Sequence, residues 1–364
     1  MRVSPSQLVP GCILLRDVIG KTNRPIIPHK TVLTEEHIFI LDKFLVDQVE
    51  VSERLENDSM YKPEERIESE PVEEKEIEAN TQVSKLPFKD HYLYVVEEYK
   101  KLFDSWKRNL PINNFAVRNL ILPLIDRMED IASAVYTLHH FANKQDYFYH
   151  HSVSVSILSA YLGKKMGYSK GEWYQIGLAG LLSDVGMAKL GNFAFYKEGQ
   201  LTDEEKLEIR NHPTFSYRMV EHIASIPYSV KLAVLQHHER MDGSGYPLGL
   251  SNEKIHRYAR IIAVSDIYHA MTCERSYRKK QSPFKVIEEL QKEQFSKIDP
   301  RVVQVFVDAI ANFSIGTKVL LSNNQVGEIV FIEQNNPTRP IVRLENDEII
   351  TLSNSLSLFI SEIL

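Results

Sequence analysis

A chain of 364 residues is long enough for two or three compact domains, because a single hydrophobic core stops growing before that size. Its hydrophobic share of 43% and charged share of 25% are those of an ordinary globular protein, and no run approaches the roughly 18 apolar residues needed to cross a bilayer. The formal charge of −6 is concentrated in residues 53–78, which hold eleven acidic and four basic side chains, so the remainder is nearly neutral and gives no case for a nucleic-acid polymer as partner.

The amino terminus, Met1 to Pro5, lacks the apolar stretch of a signal peptide, and the two cysteines, Cys12 and Cys273, fit neither a disulfide framework nor a zinc-finger spacing. A reduced, cytoplasmic protein without membrane association is expected. Residues 1–52 read as a small α/β module, with a strand and turn over Gly11–Gly20, a short helix over Thr34–Phe44 and a strand over Val46–Val51. Residues 53–86 are acidic and nearly free of large apolar side chains, which predicts a linker.

From residue 87 apolar residues recur at three- and four-residue spacing. Tyr92, Val95, Val96, Tyr99 and Phe103 mark one helical face, and Leu120, Leu124, Ile125, Met128, Ile131 and Val135 another. Residues 87–312 are therefore expected to be helical. Trp106 and Trp173 are expected in the core, and His139, His140 and His150 at the surface. Residues 313–364 change to short strand-like runs separated by turn residues, which predicts a small β-barrel or sandwich. The fold class expected is mainly α, with small β-containing modules at both ends.

Histidines and aspartates collect where apolar segments of the helical block end. They are His151, Asp184, His212 before Pro213, the pair His237-His238 before Glu239, and Asp266. Imidazole and carboxylate together suit a divalent transition metal such as Fe, Mn, Zn or Ni, and a carboxylate can bridge two ions where an imidazole cannot. One such histidine alone is more often a hydrogen-bonded core or surface residue. The adjacent pair, followed by the turn Asp242-Gly243-Ser244-Gly245-Tyr246-Pro247, is far less ordinary and sets a metal site beside that plainer reading.

The segment from His237 to Pro247 resembles the HHExxDGxGYP signature of the HD-GYP family. Tyr149-His150-His151-Ser152-Val153 is similar to that family's HSxxVA helix, His212-Pro213 to its HP motif, Ala259–Tyr268 to its ARII-ADxYDA helix, and Arg275–Lys279 to its RPYRK segment. The likeness covers about residues 140–312. It implies a helical HD-domain bundle and a metal-dependent phosphodiesterase acting on cyclic-di-GMP. By position the family's metal ligands fall on His151, Asp184, His212, His237, His238 and Asp266, with Asp184 as the shared, catalytic carboxylate. Arg275, Arg278 and Lys279, with Lys280 beside them, are expected to engage the phosphodiester, and Tyr246 to stack or hydrogen-bond at the mouth of the site. The plain alternatives are a solvated helix end and a structural turn.

Two residues depart from the family's HDxGK string, which reads here Ser183-Asp184-Val185-Gly186-Met187. Serine replaces the ligand histidine and methionine the lysine, and His269 stands where the family carries aspartate. The resemblance implies one ion on Asp184, His212, His237 and His238, and a second on His151, Asp184, Asp266 and the missing histidine. One well-held metal and a second that is weak or absent are expected, with turnover impaired. The competing expectation is a non-catalytic cyclic-di-GMP receptor or signalling scaffold working through a protein partner or a homodimer.

Overall fold

Short apolar runs interrupted by proline and glycine give the first residues small strand pairings, not one continuous sheet. β1 (Arg2–Val3) pairs antiparallel with β4 (Val49–Glu50), and β2 (Val18–Ile19) with β3 (Pro25–Ile27), around one helix, α1 (Glu35–Lys43). The computed structural model describes the chain apart from residues 20–24, 44–45, 47, 64–82, 84, 192–196, 198, 275–279, 294–295, 311–313, 334–335 and 356. It divides into two units, Met1–Glu78 and Ala79–Leu364. Leu8, Cys12, Leu14, Ile27, Leu33, Leu41 and Val51 form the core of the first unit. Tyr61 is buried in that core and its hydroxyl donates to the Gln7 carbonyl at 2.6 Å, which corrects the expected start of the linker at residue 53. An acidic composition concealed the one aromatic anchor that offsets the cost of ordering the segment around it. Most of the expected linker, residues 64–82 and 84, lies outside the described residues.

The second unit opens with α2 (Phe88–Lys107), whose buried side includes Tyr92, Val95, Val96, Tyr99, Phe103 and Trp106 as its spacing predicts. Asn113 caps α3 (Asn114–Ile125) by accepting from the backbone N–H groups of Phe115 and Ala116, and α4 (Met128–Ala134) follows. The next helix, α5 (Tyr147–Lys165), is buried without a break from Tyr149 to Gly163, so it runs through the middle of the bundle. α6 (Lys170–Leu182), started by the Ser169/Glu172 capping box, packs against it. A Cβ on Gly180 would lie 3.1 Å from both the Ser156 Cα and the Val155 carbonyl oxygen of α5, so glycine there lets the two helices close up. His139 and His150 are buried, which corrects the expectation that they lie at the surface. The reason is the same close packing: His150 faces inward from α5, with Nδ1 3.2 Å from the Tyr92 hydroxyl.

The chain continues through α7 (Asp203–Ile209), α8 (His212–Val220), α9 (Tyr228–Gln236), α10 (Arg257–Thr272), α11 (Pro283–Glu293) and α12 (Pro300–Ile310). It ends in an antiparallel sheet of order β8-β7-β6-β5-β9, with β5 Lys318–Leu321, β6 Val326–Phe331, β7 Ile341–Leu344, β8 Ile349–Thr351 and β9 Ile360–Ile363. The sheet is open at β8 and β9, so the expected barrel is corrected to a five-stranded sheet. Its apolar face, with Val319, Leu321, Ile329, Val342 and Ile360, is covered by Phe284 of α11 and needs no second layer of strands. Arg339 locks that cover in place. It forks onto both Glu288 carboxylate oxygens at 2.7 and 2.8 Å and donates to the carbonyls of Ser355 and Leu358 at 2.6 and 3.1 Å. Among the described residues no helix is long and apolar enough to cross a membrane.

Candidate metal centre

Three helix ends and two helix interiors meet at one place. Asp184 follows the end of α6, His212 opens α8 with Pro213 behind it, and His237 and His238 follow the end of α9. His151 lies in the second turn of α5 and Asp266 in the middle of α10. Ser216 joins two of these segments: its hydroxyl donates to the Ser183 carbonyl at 2.6 Å and accepts from the Gly186 N–H at 2.8 Å. Gly186 must be glycine, because a Cβ there would overlap the His212 carbonyl and the Ser216 backbone nitrogen.

Asp184, His212, His237 and His238 offer donor atoms that all lie within 4.8 Å of one another. The tautomers of two of these rings are dictated by their backbone neighbours. His212 Nδ1 is 2.7 Å from the Ile209 carbonyl and His237 Nδ1 is 2.8 Å from the Val234 carbonyl. A carbonyl oxygen only accepts, so each Nδ1 carries the hydrogen and each Nε2 of the neutral ring is a bare lone pair. Those two Nε2 atoms stand 3.2 Å apart, and the Asp184 Oδ1 lies 3.0 Å from one and 3.6 Å from the other. Three lone pairs converge with no hydrogen between them unless a ring is charged. Such an arrangement calls for a cation, and rings oriented by a second hydrogen bond are how proteins present imidazole to a metal.

The other half of the site is built on the far oxygen of the same carboxylate. His151 Nε2 lies 3.7 Å from Asp184 Oδ2 and 3.0 Å from Asp266 Oδ1, while Asp266 Oδ2 lies 3.6 Å from His238 Nδ1. Ser183 adds no donor to it. The hydroxyl is buried and donates back into its own helix, to the Ala179 carbonyl at 2.7 Å. Met187 is likewise buried in the main apolar cluster.

Burial works to raise the Asp184 carboxyl, but when a proton instead of a cation lies between them, the charged His212 and His237 rings, donating from Nε2, outweigh burial and hold the group well below the usual carboxylate range. Asp266 follows the same logic: burial opposes ionisation, and His151 and His238 reverse the balance. For His238, burial and then the neighbouring His237 push the ring well below its ordinary value, which keeps it neutral and able to ligate.

Beside the four-donor group lies a cleft of about 490 Å³, within the ordinary range for small-ligand sites. Its lining includes Arg210, His238, Arg240, Tyr246 and Lys297. The Tyr246 ring sits 4.7 Å from the His238 ring and under the Arg210 guanidinium at 4.5 Å. Glu239 holds the loop that carries Tyr246: its buried carboxylate accepts from the Leu248 and Leu250 N–H groups at 2.7 and 2.8 Å.

The structure thus brings His151, Asp184, His212, His237, His238, Asp266 and Tyr246 together, whereas Arg275, Arg278 and Lys279 lie outside the described residues. Lys280 pairs with Glu362 of β9 at 3.0 Å. Sequence reasoning gave no role to Glu239 or His269, though it named both, and passed over Arg210. Glu239 stood inside the quoted motif, and His269 lies one helical turn beyond Asp266, a spacing that puts both on one face of α10. Nothing in the sequence marked Arg210.

Residues 138–302 match the family described as HD domain. A cyclic di-GMP phosphodiesterase of Pseudomonas aeruginosa is 34% identical over 198 residues, covering 54% of this chain and 48% of that protein. The cyclic di-GMP phosphodiesterase PdeB of Borreliella burgdorferi is 31% identical over 202 residues, covering 55% and 53%. The 3'3'-cGAMP-specific phosphodiesterase 1 of Vibrio cholerae is 30% identical over 206 residues, covering 56% and 46%. The chain spans about half the length of these relatives. Among solved structures, an HDG"Y"P protein from Bdellovibrio bacteriovorus shares the fold at a TM-score of 0.50 and 14% identity, over 85% of this chain and 98% of that one.

Proposed function

We propose, with residues 138–302 belonging to the HD domain family, that this chain holds a divalent transition metal on Asp184, His212, His237 and His238 and binds cyclic-di-GMP in the adjoining cleft. The observation that carries the reading is the convergence of two bare Nε2 atoms and a carboxylate oxygen on one point. A bound metal would neutralise phosphate charge and activate water for phosphodiester hydrolysis. The chain's own contribution is positional and electrostatic. Asp184 reaches both halves of the site with its two oxygens. Arg210 and Arg240 offer the cleft cations for the two phosphodiester groups of a cyclic dinucleotide, while Glu289 and Glu293 also line it and Glu293 pairs with Lys297 at 3.1 Å.

Catalysis is impaired on this reading, because Ser183 turns its hydroxyl into α6 and Met187 faces the apolar core. The second half of the site keeps three donors, from His151, Asp184 and Asp266. A receptor that binds without cleaving is the second reading, and the inward Ser183 hydroxyl is the observation that favours it. The identity of the relatives leaves two nucleotides to compare, since some are named for cyclic di-GMP and others for 3'3'-cGAMP. Calorimetric titration of both into the full chain, with and without zinc or manganese, tests the proposal, with chromatography of the mixtures to report cleavage. Metal-dependent binding of cyclic-di-GMP with slow or no product is expected. Binding of neither nucleotide in the presence of bound metal would overturn it.

A further inference from the structure

We infer that Glu289 and Glu293 of α11 read the base of a bound cyclic dinucleotide and select guanine over adenine at one of its two bases. The inference rests on the nucleotide reading above and assigns the specificity of the same cleft. Among the described residues that line the cleft, these two are the acidic ones, and they lie one turn apart on a single helix. Two anions oppose a ligand that carries two phosphodiester charges, unless they meet a part of it that only donates.

The charges of the cleft divide accordingly. The cations belong to the segments that carry the metal donors, Arg210 two residues before His212 and Arg240 two after His238. Arg210 stacks on Tyr246, Arg240 donates to the Glu239 and His237 carbonyls at 3.0 and 3.4 Å, and among the described residues no carboxylate pairs with either. The acids stand on the α11 wall instead, where Ile267 and Met271 of α10 and the buried Leu290 offer apolar surface for a flat ring. The edge of guanine presents two adjacent donors, N1–H and the 2-amino group, which match the two oxygens of a carboxylate. Adenine presents its 6-amino donor beside the N1 lone pair, which a carboxylate repels. An ionised carboxylate accepts up to about four hydrogen bonds, so the pairing of Glu293 with Lys297, and any other contact of either acid, leaves room for a base. Because both acids lie on one helix, one guanine is read and the second base is not. Cyclic-di-GMP and 3'3'-cGAMP, each with a guanine, are therefore both ligands, and cyclic-di-AMP is rejected.

The test is calorimetric titration of the zinc-loaded full chain with all three nucleotides, repeated on the double variant Glu289→Gln with Glu293→Gln. Glutamine keeps the side-chain shape, but its amide carries a donor beside an acceptor and pairs with the adenine edge. The readout is the ratio of affinities for cyclic-di-GMP and cyclic-di-AMP, in which the altered charge of the cleft cancels because both ligands carry the same phosphates. Two hydrogen bonds to an ionised group predict a preference of at least about 100-fold in the unsubstituted chain, falling below about tenfold in the double variant. Should the double variant bind none of the three, the single variants carry the same comparison. An unsubstituted chain that binds cyclic-di-AMP as tightly as cyclic-di-GMP, an unchanged ratio in the variants, or 3'3'-cGAMP bound as weakly as cyclic-di-AMP would overturn the inference. Binding of none of the three by the unsubstituted chain with zinc in place would instead sink the nucleotide reading itself.

Discussion

Asp184→Asn is the sharpest perturbation of the site, because it keeps the side-chain shape and removes the anion on which His212 and His237 converge at 3.0 and 3.6 Å. Zinc held at a thousandfold excess over its dissociation constant stabilises the folded chain by about 4 kcal/mol. At about 2–4 °C per kcal/mol for a large domain, the midpoint of thermal unfolding should rise by roughly 8–16 °C. If the neutral amide oxygen binds about a hundredfold more weakly, the same zinc is only in tenfold excess, worth about 1.4 kcal/mol and roughly 3–6 °C. The comparison is made within each protein, stripped and zinc-loaded, by scanning calorimetry. This separates the metal increment from whatever the substitution does to the stability of the metal-free fold. An asparagine variant with the full zinc increment would show that the carboxylate is not a ligand. No zinc increment in the unsubstituted chain would refute the site.

Ser183→His with Met187→Lys should add a second zinc equivalent and raise cyclic-di-GMP hydrolysis above the unsubstituted rate, measured by product chromatography. Because both positions are buried, a stability cost of about 1–3 kcal/mol is expected, and two bound ions without a faster rate would place the defect elsewhere. His91 is buried with Nδ1 unpartnered among the described residues, and burial, helped by the charge of Arg127, pushes its ring down to about 4. The fold holds the neutral form, so this stabilisation is complete above about pH 6.5 and is lost as the pH falls toward 4. The linkage at pH 4.5 is roughly 2.5 kcal/mol, reduced to about half by solvent screening, and His91→Leu should flatten the fall in unfolding midpoint between pH 7 and 4.5 by about that amount. An unchanged slope would mean that the ring is not kept neutral by the fold. Gly186→Ala should cost more than about 2 kcal/mol and abolish the first zinc step, since the methyl group meets backbone on both sides. Normal zinc uptake by that variant would show that the α6 to α8 junction tolerates displacement.

Much of this protein could be read along the chain, because the signals are local. The apolar face of α2 from Tyr92 to Trp106, the Ser169/Glu172 cap and the strand-like tail each depend on residues a few positions apart. Even the fixing of His212 and His237 is local: each ring bonds the carbonyl three residues before it, left without a helical partner where a helix ends. Packing decided the rest. Tyr61 belongs to a core whose other members lie on distant strands, and the terminal sheet stays open because α11 and Arg339 cover its apolar face. His150 is buried by a neighbour 58 residues away, and Arg210 reaches the cleft by lying over Tyr246. The pairing of His151 with His269 joins residues 118 apart. Helical periodicity specifies which face a side chain occupies. Helix ends place the donors one by one, but only the packing of α5, α6, α8, α9 and α10 brings His151, Asp184, His212, His237, His238 and Asp266 together, because those residues lie far apart along the chain.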